Sequence, residues 1–359
     1  MKEKLYPFHV SLLVYMIQTG VIIFSLPRLL AQHMGYNGWI TLFAYTGVVM
    51  LNIYLISLVY RLSNGKSIFQ IIEQALPKVI VLPLYFILVS VWTMLGCLVA
   101  KQYVFIFQAF VFPTTHPMFM KFLVDVLAYL LIIKGIYNIS KAATSFFWLV
   151  IWTLLLLLFF VKNFQWVNLT PFFFQESTDF FLGGLSIFSS FLGYELALLL
   201  FPYVEKNKSF IKAVHIGNLL TAITYITVSL TCFGFYSFNQ LQGMKYPVID
   251  LLAQIKFPFV ERVDNIIFSL FLFTTLITIV AYIWAAKETV HRVIPRANSK
   301  WLAGTIVGIA FAVAWIPDVL NEVELWIKYL GYMEIGIAFG LPLFLLIILL
   351  LSKGGKKHV

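Results

Sequence analysis

The stretch VYMIQTGVIIFSLPRLL (14–30) decides the fold, because it is an apolar helical run that polar and flexible residues interrupt in its middle. Gln18, Thr19 and Gly20 stand about ten residues into the run, which is about 15 Å along a helix that rises 1.5 Å per residue. Gly20 tolerates non-helical backbone, and Pro27 lacks the amide donor that a continuous helix needs. The stretch therefore predicts a membrane helix that is broken near the middle of the bilayer.

Composition places this run in an integral membrane protein. Of the 359 residues, 61% are hydrophobic and only 11% are charged, and the mean hydropathy is +0.93. A soluble domain has about 25% charged residues. The apolar runs are long enough to cross a bilayer and leave no room for a separate soluble domain, so we expect one all-α transmembrane domain over 1–359. The predicted spans are 8–30, 37–60, 80–111, 122–137, 143–162, 180–203, 212–236, 264–287, 300–316 and 331–351.

The basic residues indicate how these ten spans are oriented. Of the 25 Lys and Arg, seventeen fall on segments on the same side as the N-terminus, seven fall on the opposite side, and Lys101 lies inside a helix. Cytoplasmic loops carry an excess of Lys and Arg, so both termini are predicted to be cytoplasmic. The net charge of +10 then follows from topology. The expected partner surface is the lipid bilayer, and nucleic acid is not an expected partner.

Ten spans with both ends on one side can form two five-helix halves of opposite orientation, here 8–162 and 180–351. Inverted repeats of this kind place a substrate site between broken helices. The sixth run, GGLSIFSSFLGYELALLLFPYV (183–204), carries Gly193-Tyr194-Glu195 slightly past its centre, with Pro202 after it. Close helix packing also uses glycine and small polar residues. The matched positions in the two halves favour broken helices in spans one and six.

Further polar residues inside the apolar runs are candidates for a site. Glu195 and Lys101 are ionisable and deep in their runs, where such residues indicate function by default. Lys101 could instead extend its amine outward, and Glu195 could bind a proton or lie in a satisfied hydrogen-bond network. Thr274, Thr275 and Thr278 could coordinate a ligand or cation, or bond back to their own helix.

Enzyme chemistry finds no support in the sequence. The six His form no metal-binding cluster, and we find no phosphate-binding loop, nucleophile elbow, zinc-protease motif or dinucleotide fingerprint. Cys97 and Cys232 fall inside apolar runs and are typical of small buried hydrophobic residues. We therefore expect no catalytic residue, no metal and no cofactor.

Three segments resemble known transporters. GVIIFSLP (20–27) resembles the first-helix signature of the amino acid–polyamine–organocation transporter superfamily, although Val21 stands where that superfamily often has a second small residue. FLGYELALLLFPYVEKNKSFIKA (191–213) is similar to a segment of the spore-germinant receptor B subunits, also called spore permeases. YPVIDLLAQIKFPFVERVD (246–264) is similar to an outer loop of the same family, with Pro258, Glu261 and Arg262 in place.

This resemblance implies the leucine-transporter-type fold, a 5+5 inverted repeat with interrupted helices 1 and 6, in the inner membrane of a bacterial spore. It also implies a receptor that contains an A subunit and a lipoprotein C subunit and senses a small germinant, often an amino acid. Carried over by position and joined to the candidates above, the predicted ligand-binding residues are Gln18, Thr19, Gly20, Val21, Cys97, Phe191, Gly193, Tyr194, Thr274, Thr275 and Thr278.

Three functions remain open on the sequence. In the first, the chain is a receptor subunit that binds a germinant and signals to its partners. In the second, it is a proton-coupled amino-acid transporter that works alone, with Glu195 or Lys101 in the proton path. In the third, it anchors the receptor and has no ligand site.

Overall fold

The computed structural model describes residues 4–169, 177, 179–205, 209–255 and 263–354, without the side chains of residues 263, 264, 353 and 354. Apart from one isolated bridge, these residues contain helices and loops and no strand. The α-helices are α1 (Pro7–Gln18), α2 (Leu26–Met34), α3 (Thr41–Leu62), α4 (Ile68–Ala75), α5 (Lys78–Phe110), α6 (Pro117–Ile132), α7 (Gly135–Ile151), α8 (Phe180–Phe188), α9 (Ser209–Phe235), α10 (Phe238–Gly243), α11 (Pro247–Leu252), α12 (Val263–Val293), α13 (Ser299–Val313) and α14 (Leu320–Gly354). Helices of 3₁₀ type extend or link several of them.

Within the described residues, seven helical stretches are long and apolar enough to cross a membrane. They are Gly38–Leu62, Lys78–Phe110, Gly135–Asn163, Phe180–Tyr203, Ser209–Phe235, Asn265–Val293 and Leu320–Ser352. Two further apolar helices, α1 and α13, are shorter than a full span. The predicted multi-pass membrane architecture is confirmed, and the count of ten crossings stays a prediction.

The predicted fourth span is wrong in its bounds. The helix runs over Pro117–Ile132 and not over 122–137. Pro117 stands in the first turn, where its missing N–H has no helical partner to lose. Lys121, which we assigned to an outer loop, is fully buried and donates to the Asp125 carboxylate one turn later at 2.6 and 2.5 Å. A lysine that brings its own counter-ion can lie inside the helix, and a count of loop charges does not anticipate this.

The first broken helix consists of α1, a 3₁₀ turn over Val21–Phe24, and α2. α1 ends at Gln18, and the next two residues leave the helical conformation, with Gly20 extended at φ −92° and ψ −156°. Pro27 stands in the first turn of α2, where a helix needs no donor. Pro27 therefore begins a new helix, and the predicted interruption is confirmed.

The second broken helix consists of α8, a 3₁₀ turn over Ser189–Phe191, and a 3₁₀ helix over Tyr194–Tyr203. Gly193 separates the last two at φ +118°, a backbone conformation that L-residues rarely adopt. A Cβ at Gly193 would lie 2.5 Å from Cγ2 of Ile17 in the first broken helix. Both the backbone conformation and the close approach therefore require glycine here.

The two broken helices are tied together at one end. The Leu5 N–H donates to the Tyr203 carbonyl at 2.8 Å, and Leu5 forms a parallel bridge with Val204. α1 packs against α7, α9 and α12, while the second broken helix contacts α3, α9 and α12. The bundle thus surrounds both breaks with continuous helices.

Candidate ligand-binding site

A cavity of about 90 Å³ lies between the two breaks. By the same kind of measure, one water occupies about 10–15 Å³, so the cavity has room for a small molecule. Its walls come from both breaks and from α5, α12 and α14. The lining residues are Ile17, Gln18, Gly20, Val21, Ile22, Leu95, Val99, Gln102, Ser189, Ser190, Leu192, Thr278, Tyr282, Ile327 and Gly331.

The lining is mostly apolar, with a few polar groups that converge on the cavity. Ser190 is only 3% exposed, and its Oγ has no hydrogen-bonding partner within the described part of the chain. A buried hydroxyl without a partner costs about 1–3 kcal/mol, so the Ser190 hydroxyl is poised to bind a ligand or a water. The amide of Gln102 lies on the opposite wall, on α5. Ligand pockets typically combine an apolar lining with a small number of such groups.

The side chain of Gln18 connects the two breaks. Its Nε2 donates to the Phe191 carbonyl at 2.6 Å and to Asn218 Oδ1 at 3.2 Å. Its Oε1 accepts from the Thr221 hydroxyl at 3.0 Å. Unwound backbone in a membrane protein needs partners for its freed polar groups. Gln18 supplies one of them for the second broken helix and is itself held by α9.

Tyr225 of α9 binds a carbonyl at each break. Its hydroxyl lies 2.7 Å from the Gln18 carbonyl oxygen and 2.9 Å from the Ser190 carbonyl oxygen. The Tyr225 ring also packs edge-on against Phe191, with centroids 5.3 Å apart. Tyr225 therefore fixes the separation of the two breaks, which sets the width of the cavity.

The three threonines of α12 divide into two kinds. The Thr278 hydroxyl lies 2.9 Å from the Ile17 carbonyl oxygen at the end of α1 and lines the cavity. Thr274 and Thr275 instead donate to the Phe271 carbonyl of their own helix at 2.9 and 3.0 Å. The bond to the same helix was the alternative that the sequence left open, and it is the one that these two residues adopt.

Glu195 lies behind the second break and is 3% exposed. Its two carboxylate oxygens accept from the Gly193 N–H at 2.9 and 2.7 Å, and Oε1 also accepts from the Tyr282 hydroxyl at 3.1 Å. The Glu334 carboxyl of α14 is a further hydrogen-bonding neighbour. Glu195 does not line the cavity, but Tyr282 does, and so it connects the carboxyl group to the cavity.

Lys101 and Cys97 lie on a different face of α5 from the cavity. The Lys101 ammonium donates to the Ala314 carbonyl at 2.7 Å, and Cys97 Sγ donates to the Ala310 carbonyl at 2.9 Å. Both carbonyls belong to the last turn of α13, where the helix dipole favours a cation. Lys101 is 2% exposed, so its amine binds this helix end and does not extend to the surface.

The structure brings four of the predicted ligand-binding residues to the cavity: Gln18, Gly20, Val21 and Thr278. The others do not line it: Thr19, Cys97, Phe191, Gly193, Tyr194, Thr274 and Thr275. Several of these shape the breaks, as Gly193 and Phe191 do. A role in ligand contact stays a prediction for each of these residues. Pro258, Glu261 and Arg262 of the outer-loop resemblance lie outside the described residues.

Sequence reasoning missed Gln102, Ser190 and Tyr282 in the lining and Glu334 beside Glu195. Gln102 stands seven residues after Leu95 on α5, so helical periodicity from a known lining residue would have found it. Glu334 is an acidic residue within a long apolar helix, which is the same signal that marked Glu195.

Residues 4–323 match the family described as "Spore germination protein". Among curated relatives, the spore germination protein GerQB of Bacillus cereus is 26% identical over 334 residues, which are 92% of each chain. Spore germination protein A2 of Bacillus subtilis (strain 168) is 25% identical over 352 residues, covering 93% of this chain and 92% of that one.

Two solved structures share the fold. A Na⁺-coupled sialic acid symporter in a substrate-bound, outward-open state has a TM-score of 0.68 at 12% identity, covering 95% of this chain and 79% of that one. Mhp1, a nucleobase-cation-symport-1 family transporter in a closed conformation, has a TM-score of 0.62 at 11% identity, covering 96% and 78%. The predicted leucine-transporter-type fold is therefore confirmed.

Proposed function

Because the chain belongs to the spore germination protein family, the spore permeases, we propose that it binds a small germinant in the cavity between its two broken helices. Family and fold make the chain a multi-pass membrane protein of the permease class and not an enzyme. The observation that carries the proposal is the buried Ser190 hydroxyl, which faces the cavity and has no partner within the described residues.

The lining favours a small ligand with no net charge. None of the residues that line the cavity is Asp, Glu, Lys, Arg or His, so a net charge on the ligand would be desolvated without compensation. The Ser190 hydroxyl and the Gln102 amide can each donate and accept hydrogen bonds. A zwitterionic amino acid with a small apolar side chain meets these conditions, and it is the germinant class that we favour.

Germinant binding would act on receptor partners through a shift between two arrangements of the bundle. A ligand shifts such an equilibrium only by its difference in affinity for the two arrangements. The breaks are the segments where α1 and α8 are already unwound, so the ligand would act there. In this proposal the two halves 8–162 and 180–351 are inverted repeats. The chain lies in the spore inner membrane with both termini on the core side, beside the A and C subunits.

A thermal-shift screen of the purified chain against L-amino acids, sugars and nucleosides tests the binding step. A compound that binds the folded chain stabilises it by RT ln(1 + [L]/Kd), which is about 2.7 kcal/mol at a hundredfold excess over Kd. We expect a neutral L-amino acid to stabilise the chain. Failure of all three compound classes to do so would contradict the proposal and favour an anchoring role.

Two cavity variants locate the binding site. Val99→Phe places a ring in the cavity and should abolish the shift, whereas Ile87→Phe, on the exposed face of the same helix, should keep it. Ser190→Ala should leave the stability of the free chain unchanged, because Oγ has no partner to lose. The same change should weaken binding by about 0.5–1.5 kcal/mol, the net contribution of one hydrogen bond. Unchanged affinity in Val99→Phe would place the ligand elsewhere.

A proton-coupled transporter that works alone is the second candidate, because both solved relatives are named as transporters and Glu195 is a buried carboxyl group. Uptake of the same amino acid into liposomes that contain only this chain distinguishes the two. The receptor proposal predicts binding without sustained uptake. Concentrative uptake that collapses with the pH gradient would replace the receptor proposal with the transporter.

A further inference from the structure

We propose that Glu195 and Glu334 together form a binding site for one proton, built into the contact between the second broken helix and α14. Both carboxyl groups are buried, with 3% and 0% of the residue exposed, and they are in hydrogen-bonding contact. Two ionised carboxylates can only accept hydrogen bonds, so this contact requires a proton on one of them.

The donors around the pair assign the proton to Glu334. Glu195 already accepts from the Gly193 N–H on both oxygens and from the Tyr282 hydroxyl, which is the environment of an ionised carboxylate. Glu334 Oε1 accepts from Trp92 Nε1 at 3.0 Å, but its Oε2 is buried and has no donor in the part of the chain that the structure describes. A proton on Glu334 Oε2, donated to Glu195, satisfies both groups at once.

The surroundings supply no cation that would compensate a second negative charge. The titratable groups that act on the pair are the hydroxyls of Tyr194, beside Glu195, and of Tyr282 on α12. α5 contributes the Trp92 indole. No Lys, Arg or His of the described chain is among the groups that act on either carboxyl. Loss of the proton would leave two adjacent buried negative charges, a state that repulsion and desolvation both oppose.

The proton site adjoins the cavity through two elements. Tyr282 lines the cavity and donates to Glu195. Gly331 also lines the cavity and stands three residues before Glu334 on α14, on the same side of the helix. Repulsion between the two carboxylates would separate α14 from the second broken helix, and both bound the cavity. Proton occupancy and cavity shape are therefore linked, whatever molecule the cavity binds.

Infrared difference spectroscopy of the chain in lipid nanodiscs tests the site without any ligand. At neutral pH, exposed Asp and Glu are ionised, since their pKa values are near 3.9 and 4.3. The wild-type chain should show the carbonyl stretch of a protonated carboxylic acid, and the band should shift in D₂O. Glu334→Gln keeps a donor toward Glu195 and should lose this band. Glu322→Gln, an exposed change on the same helix, should keep it.

Two outcomes would overturn the proposal: a wild-type spectrum without the band, or a band that persists at full intensity in Glu334→Gln. Should Glu334→Gln fail to fold, Tyr282→Phe decides. It removes a donor from Glu195, so the Glu334 proton should bind more tightly to the remaining acceptor and the band should move. A band at the wild-type position in Tyr282→Phe would refute the assignment. A germinant that fails to bind would leave these spectra unchanged, so this test is independent of the proposed function.

Discussion

Replacement of Gly193 by alanine tests whether the second break is required by its backbone and its neighbours. The φ of +118° is strained for any residue with a Cβ, and the added Cβ would stand 2.5 Å from Cγ2 of Ile17. Ile17 is the penultimate residue of α1, held between both breaks, so it has little room to move away.

The expected loss of stability has two parts. Holding a non-glycine residue in a sparsely populated conformation costs about 1–3 kcal/mol. Forcing a methyl group into a packed interior costs about a further 1–3 kcal/mol. Gly193→Ala should therefore destabilise the chain by about 2–6 kcal/mol, which is a large fraction of the roughly 5–15 kcal/mol that stabilises a typical fold.

Two other glycines supply matched controls. At Gly20, φ is −92° and a Cβ would lie 3.5 Å from Thr278 Oγ1, an ordinary contact, so Gly20→Ala should change the stability by less than about 1 kcal/mol. At Gly47, nothing lies within 4 Å of an added Cβ. Thermal unfolding of the three variants in one detergent measures the order. Equal midpoints for Gly193→Ala and Gly20→Ala would refute the account of the second break.

Three further changes test the contacts around the site, each by the thermal midpoint of the purified chain. Tyr225→Phe removes the hydroxyl shared by the two breaks and should cost about 1–3 kcal/mol, because two buried carbonyls lose their donor. Lys121→Met leaves the Asp125 carboxylate buried without its cation and should cost about 3–5 kcal/mol; the double change with Asp125→Leu should recover most of that loss. Thr278→Val should destabilise the chain more than Thr275→Val, because only Thr278 bonds to another helix; equal midpoints would contradict this.

The breaks were predictable from sequence because their cause is local. A glycine with polar neighbours in the middle of an apolar run weakens a helix wherever the run lies, and both Gly20 and Gly193 mark real interruptions. The depth of a residue in the bilayer follows from counting along the run, so the cavity was expected at the right level. The fold class also follows from features of this kind.

The composition of the cavity wall could not be predicted in the same way, because it depends on how each helix is rotated. On α5, Val99 and Gln102 face the cavity, whereas Cys97 and Lys101 face the end of α13. These residues share one depth and differ only in azimuth. A helix that is apolar all round gives no moment from which to read that rotation. The pairing of Glu195 with Glu334 likewise depends on contacts between elements far apart in sequence.

The bond between Leu5 and Tyr203 has a kinematic consequence for the two broken helices. They are fastened there and again where Gln18 meets Phe191, so two separate attachments prevent either helix from pivoting about the other. The pair can only swing as one lever against the surrounding bundle. A displacement of a few ångströms at the breaks then reaches the N-terminal end of the chain undiminished. A spectroscopic label near Lys4 would report on the second broken helix, nearly two hundred residues away in sequence.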